Sequence, residues 1–161
     1  MKSNRFFKQY DGSEAAANGL FRISDDYYVA FYGFGHDESM GGAGYRWRKD
    51  YDHRPTVTEV KADIEALINE QVQERIHNGM RYDTLPVYLS EKNQLNFRSA
   101  LTVPVRYKMG ELADGTSAYR VFETREELAE FNEAVANHIA QCLNAGWDEK
   151  DAVDYSVYDI V

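Results

Sequence analysis

The tightest constraint in the sequence is a run of seven apolar residues: Val57, Val60, Ile64, Leu67, Ile68, Val72 and Ile76. They fall at helical spacing with polar residues between them, so they form one stripe of an amphipathic helix that must be buried against another element. Thr56 and Glu59 stand at capping-box spacing, and Pro55 punctuates the chain just before them. His77-Asn78-Gly79 supplies the stop.

The segments that follow alternate in type. Met80–Leu89 reads as two short strands around Asp83-Thr84, with Pro86 suited to the start or edge of the second. Ser90 can cap a helix beginning at Glu91, with Leu95, Phe97 or Ala100, and Leu101 as its apolar contacts. "VPVRYKM" and "AYRVFE" alternate as strands across a long hairpin loop. Thr124 and Glu127 form a second capping box. Leu128, Phe131, Val135, Ile139, Cys142 and Leu143 define a last helix that Gly146 is expected to stop.

Residues 1–54 have a different texture, rich in Gly and Tyr. In "RISDDYYVAFYGFG", Tyr27, Val29 and Phe31 alternate with Tyr28, Ala30, Tyr32 and Phe34, so both faces of a strand are apolar or aromatic. Such a strand is covered on both sides, or covered on one and offered to a partner on the other. The expected fold is therefore α+β. An aromatic, Gly-rich β region (1–54) precedes a helix–hairpin–helix–hairpin–helix domain (55–147) and an acidic C-terminal tail (148–161).

Composition restricts the function. A formal charge of −9 argues against a nucleic-acid backbone or an anionic membrane as partner. One cysteine, Cys142, excludes an internal disulfide framework and fits a reducing compartment. The N-terminus lacks an apolar run of signal-peptide length, and no segment approaches a membrane span, so a soluble, cytoplasm-made chain is expected.

No catalytic constellation emerges. The histidines at 36, 53, 77 and 138 have no metal-ligand spacing, and Cys142 lies on an apolar helical stripe. His36, Asp37 and Glu38 form the one cluster able to suggest a metal-dependent enzyme, as the alternative. The glycines at 33, 35, 41, 42 and 44 miss both phosphate-loop patterns. Arg46, Arg48 and Lys49 beside Trp47 fit a protein contact or internal ion pairs better than nucleic acid, given the acidic remainder. A second alternative is a carbohydrate-binding module stacking sugars on Tyr27, Tyr32 and Trp47. No cofactor is expected. Ser90, Asn93, Gln94 and Asn96 suit the satisfaction of backbone groups at a helix start, as Thr124 does at the last helix; a glycan- or peptide-contacting amide row is the rival reading.

From about Tyr51 to Asp151 the chain resembles a domain-of-unknown-function family. "HRPTVTEVKADIEALIN" is similar to the family's P-T-x-x-E-(V/I)-K start. "ERIHNGMRYDTLPVYLSEKNQLNF" is similar to its R-I-x-x-G-F-x-(Y/W)-…-V-(W/Y)-L-S-x-E-N-Q-x-N segment, with Met80 for the usual aromatic and Lys92 for the usual acid. "YRVFETREELAEFNEAVANHIAQCLNAGWDEKD" looks like its F-x-T-x-x-E-L helix ending in G-W-x-x-K. The family occurs in phages and in bacterial genomes carrying prophages, often near tail and tail-fibre genes, and brings no known catalytic residues. The resemblance implies a non-enzymatic virion component, tail- or connector-associated, or a tail or fibre assembly factor. It implies the host cytoplasm during assembly, with the virion as a further location. Self-association or contact with other virion proteins is expected through residues 20–54. Tyr27, Tyr28, Phe31, Tyr32, Phe34, Tyr45 and Trp47 are the interaction residues, joined by Tyr155 and Tyr158.

Overall fold

The computed structural model describes residues 4–10, 17–99 and 102–160. Ala100 and Leu101, expected to contribute apolar contacts to the second helix, lie outside them. In chain order the elements are β1 (Phe7–Tyr10), β2 (Gly19–Ser24), β3 (Tyr27–Asp37), β4 (Ala43–Tyr51) and α1 (Val57–Asn78). There follow β5 (Met80–Tyr82), β6 (Leu85–Val87), α2 (Glu91–Arg98), β7 (Val105–Glu111), β8 (Ser117–Phe122) and α3 (Arg125–Ala152). Two units divide the chain: Met1–Ile68 with Lys150–Val161, and Asn69–Glu149.

This corrects the expected helix–hairpin–helix–hairpin–helix domain. The class is α+β, but its three helices are separated by strands in three antiparallel sheets, ordered β1-β4-β3-β2, β5-β6 and β7-β8. The unit boundary falls inside α1 and inside α3, so neither unit holds three whole helices and two hairpins. The apolar stripe of α1 is long enough for its two halves to serve different cores. Val60 and Ile64 are buried in the first unit, Val72 and Ile76 in the second.

Local chemistry accounts for the helix starts. Thr56 Oγ1 accepts from Glu59 N–H at 3.1 Å. Thr124 Oγ1 accepts from Glu127 N–H at 3.2 Å, and the Glu127 carboxylate accepts from Glu123 N–H at 3.0 Å. In the β5–β6 hairpin Asp83 and Thr84 both take positive φ, 44° and 69°, the twist-matched geometry of a two-residue turn. Thr84 O accepts from the Arg81 guanidinium, and Asp83 pairs with Arg120 of β8. The second unit's core gathers Val87, Leu89, Phe97, Met109, Phe122, Leu128, Phe131 and Val135. Phe131 is its hub, with the rings of Tyr82, Phe97 and Phe122 each within about 5 Å of it.

A further expectation changes. Gly146 does not stop the last helix; α3 runs on to Ala152. A Cβ at Gly146 would lie 2.5 Å from Val72 Cγ2, so this glycine permits close helix packing rather than a left-handed cap. Trp147, next to it, is an exposed helical residue. The acidic C-terminal segment forms a short 3-10 turn at Tyr155–Tyr158, capped by the Asp154 carboxylate on Ser156 N–H. Tyr158 is buried in the first unit and donates to Phe31 O at 2.7 Å.

Gly79 ends α1 at a φ of +84°, and a Cβ there would lie 1.7 Å from Val87 O. Neither the dihedral nor the contact can relax without moving β6. Gly79→Ala is therefore expected to destabilise the second unit by about 3 kcal/mol or more, read as a fall in the urea midpoint. Gly115→Ala, at the same φ in open space, should lose far less.

Candidate functional site

Side chains directly opposite each other in an antiparallel ladder share a face, so the register sorts the aromatic residues of the four-stranded sheet. Tyr28, Ala30 and Tyr32 lie opposite Tyr51, Lys49 and Trp47. Lys8 and Tyr10 of β1 join that face, opposite Trp47 and Tyr45. It is the face that α1 covers, because Asp63 accepts from Lys49 Nζ and from Tyr51 Oη, each at 2.7 Å. Lys49 is only 9% exposed and is the one buried charged residue among the described residues. Desolvation, and then the Asp63 hydrogen bond, push the Tyr51 phenol far above its ordinary range, so it remains a donor.

The opposite face carries Tyr27, Val29, Phe31 and, beyond a bulge at Gly33, Phe34. Arginines alternate with these rings. The Arg46 guanidinium lies 3.7 Å from the Phe31 ring centroid. Arg48 pairs with Asp50 at 2.7 Å, and Tyr27 donates to the same carboxylate at 2.8 Å. The basic-aromatic cluster is thus engaged in ion pairs and stacking within the sheet. Among the expected interaction residues, Tyr28, Tyr32 and Tyr158 lie in the core. Tyr27, Phe31, Phe34, Tyr45, Trp47 and Tyr155 are half-buried. Lys8 Nζ sits 4.5 Å from the Tyr45 ring and 5.6 Å from that of Trp47, and Lys61 Nζ 5.4 Å from that of Tyr155.

Periodicity alone missed the exposed apolar side chains on the edge strands of this unit. Phe21 and Ile23 on edge strand β2 are 44% and 62% exposed, and Phe7 and Tyr10 on the opposite edge, β1, are also exposed. The available signal was the apolar pair in "LFRIS" beside Gly19, which reads as a strand only once its pairing with β3 is known.

His36, Asp37 and Glu38 do not converge. The His36 ring contacts Gly42 O at 3.0 Å, while Asp37 accepts from Ser39, Tyr10 and Lys8. Those hydrogen bonds, Ser39 first, hold the Asp37 carboxyl well below the usual carboxylate range. Among the described residues no three His, Cys, Asp or Glu side chains are placed to share a metal ion. Cys142 is half-buried, its Sγ 3.7 Å from His138 Nε2 one turn away, with no third group completing a relay among the described residues.

The clearest cluster of polar side chains surrounds His53, in a cleft of about 230 Å³ that Lys49, Tyr51, Asp52 and Glu59 also line. The imidazole is held between Asp52 Oδ1 and Glu59 Oε1, both at 2.8 Å. Hydrogen bonds to Asp52 and then Glu59 raise its pKa above the ordinary 6.5.

In the second unit the amides act largely on backbone. Ser90 caps α2 by accepting from Asn93 N–H at 3.2 Å. Asn93 Nδ2 donates to Tyr88 O at 3.0 Å, and Gln94 Nε2 to Leu89 O at 2.8 Å, tying helix to hairpin. Asn96 differs: its side-chain amide has no partner among the described residues, and it lines a groove of about 400 Å³ between α2 and β7.

The geometry describes an α+β protein whose polar clusters hold elements together. Residues 59–161 match the family described as Domain of unknown function (DUF4376), which is more than half of the chain, so the chain belongs to that family. No curated protein matches it, and no solved structure does. No helix among the described residues is long and apolar enough to cross a membrane.

Two outcomes follow from these clusters. Asp63→Asn strands the Lys49 ammonium in a buried position, and a loss of about 3 kcal/mol is expected in urea unfolding; Lys49→Met with Asp63→Asn should recover most of it. For His53 the raised folded pKa means that its stabilising contribution is complete below the ordinary value and is lost as pH rises through the raised one. An NMR titration of the wild type should place the imidazole midpoint above 6.5. The Asp52→Asn, Glu59→Gln double variant should bring it down.

Proposed function

We propose that the protein is a non-enzymatic structural or assembly subunit that works bound to protein, first to copies of itself, through the edges of its four-stranded sheet. The observation that supports this reading is the pairing of open edges with apolar side chains. Among the described residues β1 and β2 each have one neighbour, and they carry Phe7, Tyr10, Phe21 and Ile23 at the surface. Unpaired edge backbone is a template for strand addition, and apolar residues beside it favour a protein over water.

The finer reading is a phage or prophage protein: a tail- or connector-associated virion component, or a factor that assists tail or fibre assembly in the host cytoplasm. Its support is the resemblance of the "VYLSEKNQLN" and "GWDEK" segments. The description of the matched family carries no such association.

Light scattering on the full chain tests the first reading. The wild type is expected to associate at high micromolar concentration, and Phe21→Ser with Ile23→Ser should shift it to monomer with unchanged far-UV circular dichroism. A wild-type monomer at that concentration, binding no particle component, would sink the subunit reading. Mass spectrometry of purified particles tests the finer one.

A further inference from the structure

The groove in the second unit has one wall made by a helix and the other by an open strand edge. On the side of β7 away from β8, Met109 O accepts from Tyr88 N–H at 2.9 Å. Below that point the backbone of Val105–Lys108 has no partner on this side among the described residues. Asn93 and Asn96 of α2 face it across the groove. Phe97 and Tyr107 line it between the walls, their rings 5.0 Å apart at 71°, and Tyr107 Oη donates to Asn96 O at 3.0 Å. A strand edge beside a helix, with free main-chain donors and acceptors, is the geometry that takes an added peptide strand.

Charge selects the occupant. Arg106 lines the groove, lies 3.9 Å from the Tyr119 ring centroid, and has no carboxylate partner among the described residues. Lys108 has only a loose, half-exposed contact with Glu111 at 3.7 Å. An uncompensated cation is notable in a chain with 27 acidic residues. A sugar would need an exposed flat ring, whereas Phe97 is buried and packed edge-on. We propose that this groove binds an extended acidic peptide segment of another protein, added as a strand on Val105–Lys108 with a carboxylate on Arg106 and the Asn96 amide on its backbone. This surface lies within the second unit and does not depend on the sheet-edge association above.

The test uses the full chain and fluorescein-labelled octapeptides alternating Glu with Val, Ile or Tyr, read by fluorescence anisotropy at low and moderate salt. Binding is expected, with amide shift changes at Val105–Lys108 in NMR. Arg106→Glu should weaken it roughly tenfold or more and Asn96→Ala less. N-methylation of alternate peptide residues should abolish binding in one phase and spare it in the other. Circular dichroism reports that the variants remain folded. The proposal is overturned if none of these peptides binds, or if binding is indifferent to Arg106→Glu and to N-methylation. Oligogalacturonate binding at Arg106 in place of peptide would overturn it too, making the groove a site for acidic glycans.

Discussion

Asp63 takes two hydrogen bonds in the first unit, one from the Lys49 ammonium and one from the Tyr51 hydroxyl, and both donors stand on β4. A lysine that is 9% exposed is tolerable only with its counterion in place. The contact therefore does what apolar packing cannot: it specifies which turn of α1 meets which pair of residues on the strand. Val60, Ile64 and Leu67 supply the driving force for covering the sheet, but similar side chains one turn along would bury comparable area. A carboxylate displaced by a turn would leave the ammonium without a partner. The aromatic residues of that face, Tyr28 and Tyr32 among them, are buried in the register this pairing sets.

The parts of the fold legible in the sequence are those decided within a few residues. The stripe from Val57 to Ile76 is a matter of helical period, and the caps at Thr56, Ser90 and Thr124 are hydrogen bonds three residues long. Gly146 was misread because a helix stop and a close-packing position look identical in one dimension. What distinguishes them is Val72, on another helix. The aromatic alternation of β3 correctly implied two apolar faces, but which face α1 covers depended on Asp63. That acid is flanked by apolar positions, and the sequence alone does not mark it as a partner for a lysine on β4.

The candidate sites divide along the same line. The amides of α2 were visible as a cluster, and Ser90, Asn93 and Gln94 serve helix and hairpin backbone within five residues of themselves. The placing of Asn96 opposite Arg106 is tertiary, and nothing in the spacing of "NQLNFR" and "VRYK" announces it. Likewise His53 reads in the sequence as one of four scattered histidines, and becomes a bridge only when the start of α1 brings Glu59 to its second nitrogen.

The hydrogen bond from Tyr158 to Phe31 joins residues 127 positions apart. On a ribosome the strands of the four-stranded sheet emerge before the second unit, and the tyrosine that closes their core emerges after it. The second unit, by contrast, is one continuous stretch of chain. Synthesis in the N-to-C direction thus lets the middle of the protein fold before the beginning can finish. Through that interval β2 and β3 wait with apolar surface uncovered, which is when a nascent chain most needs either a chaperone or a neighbouring copy.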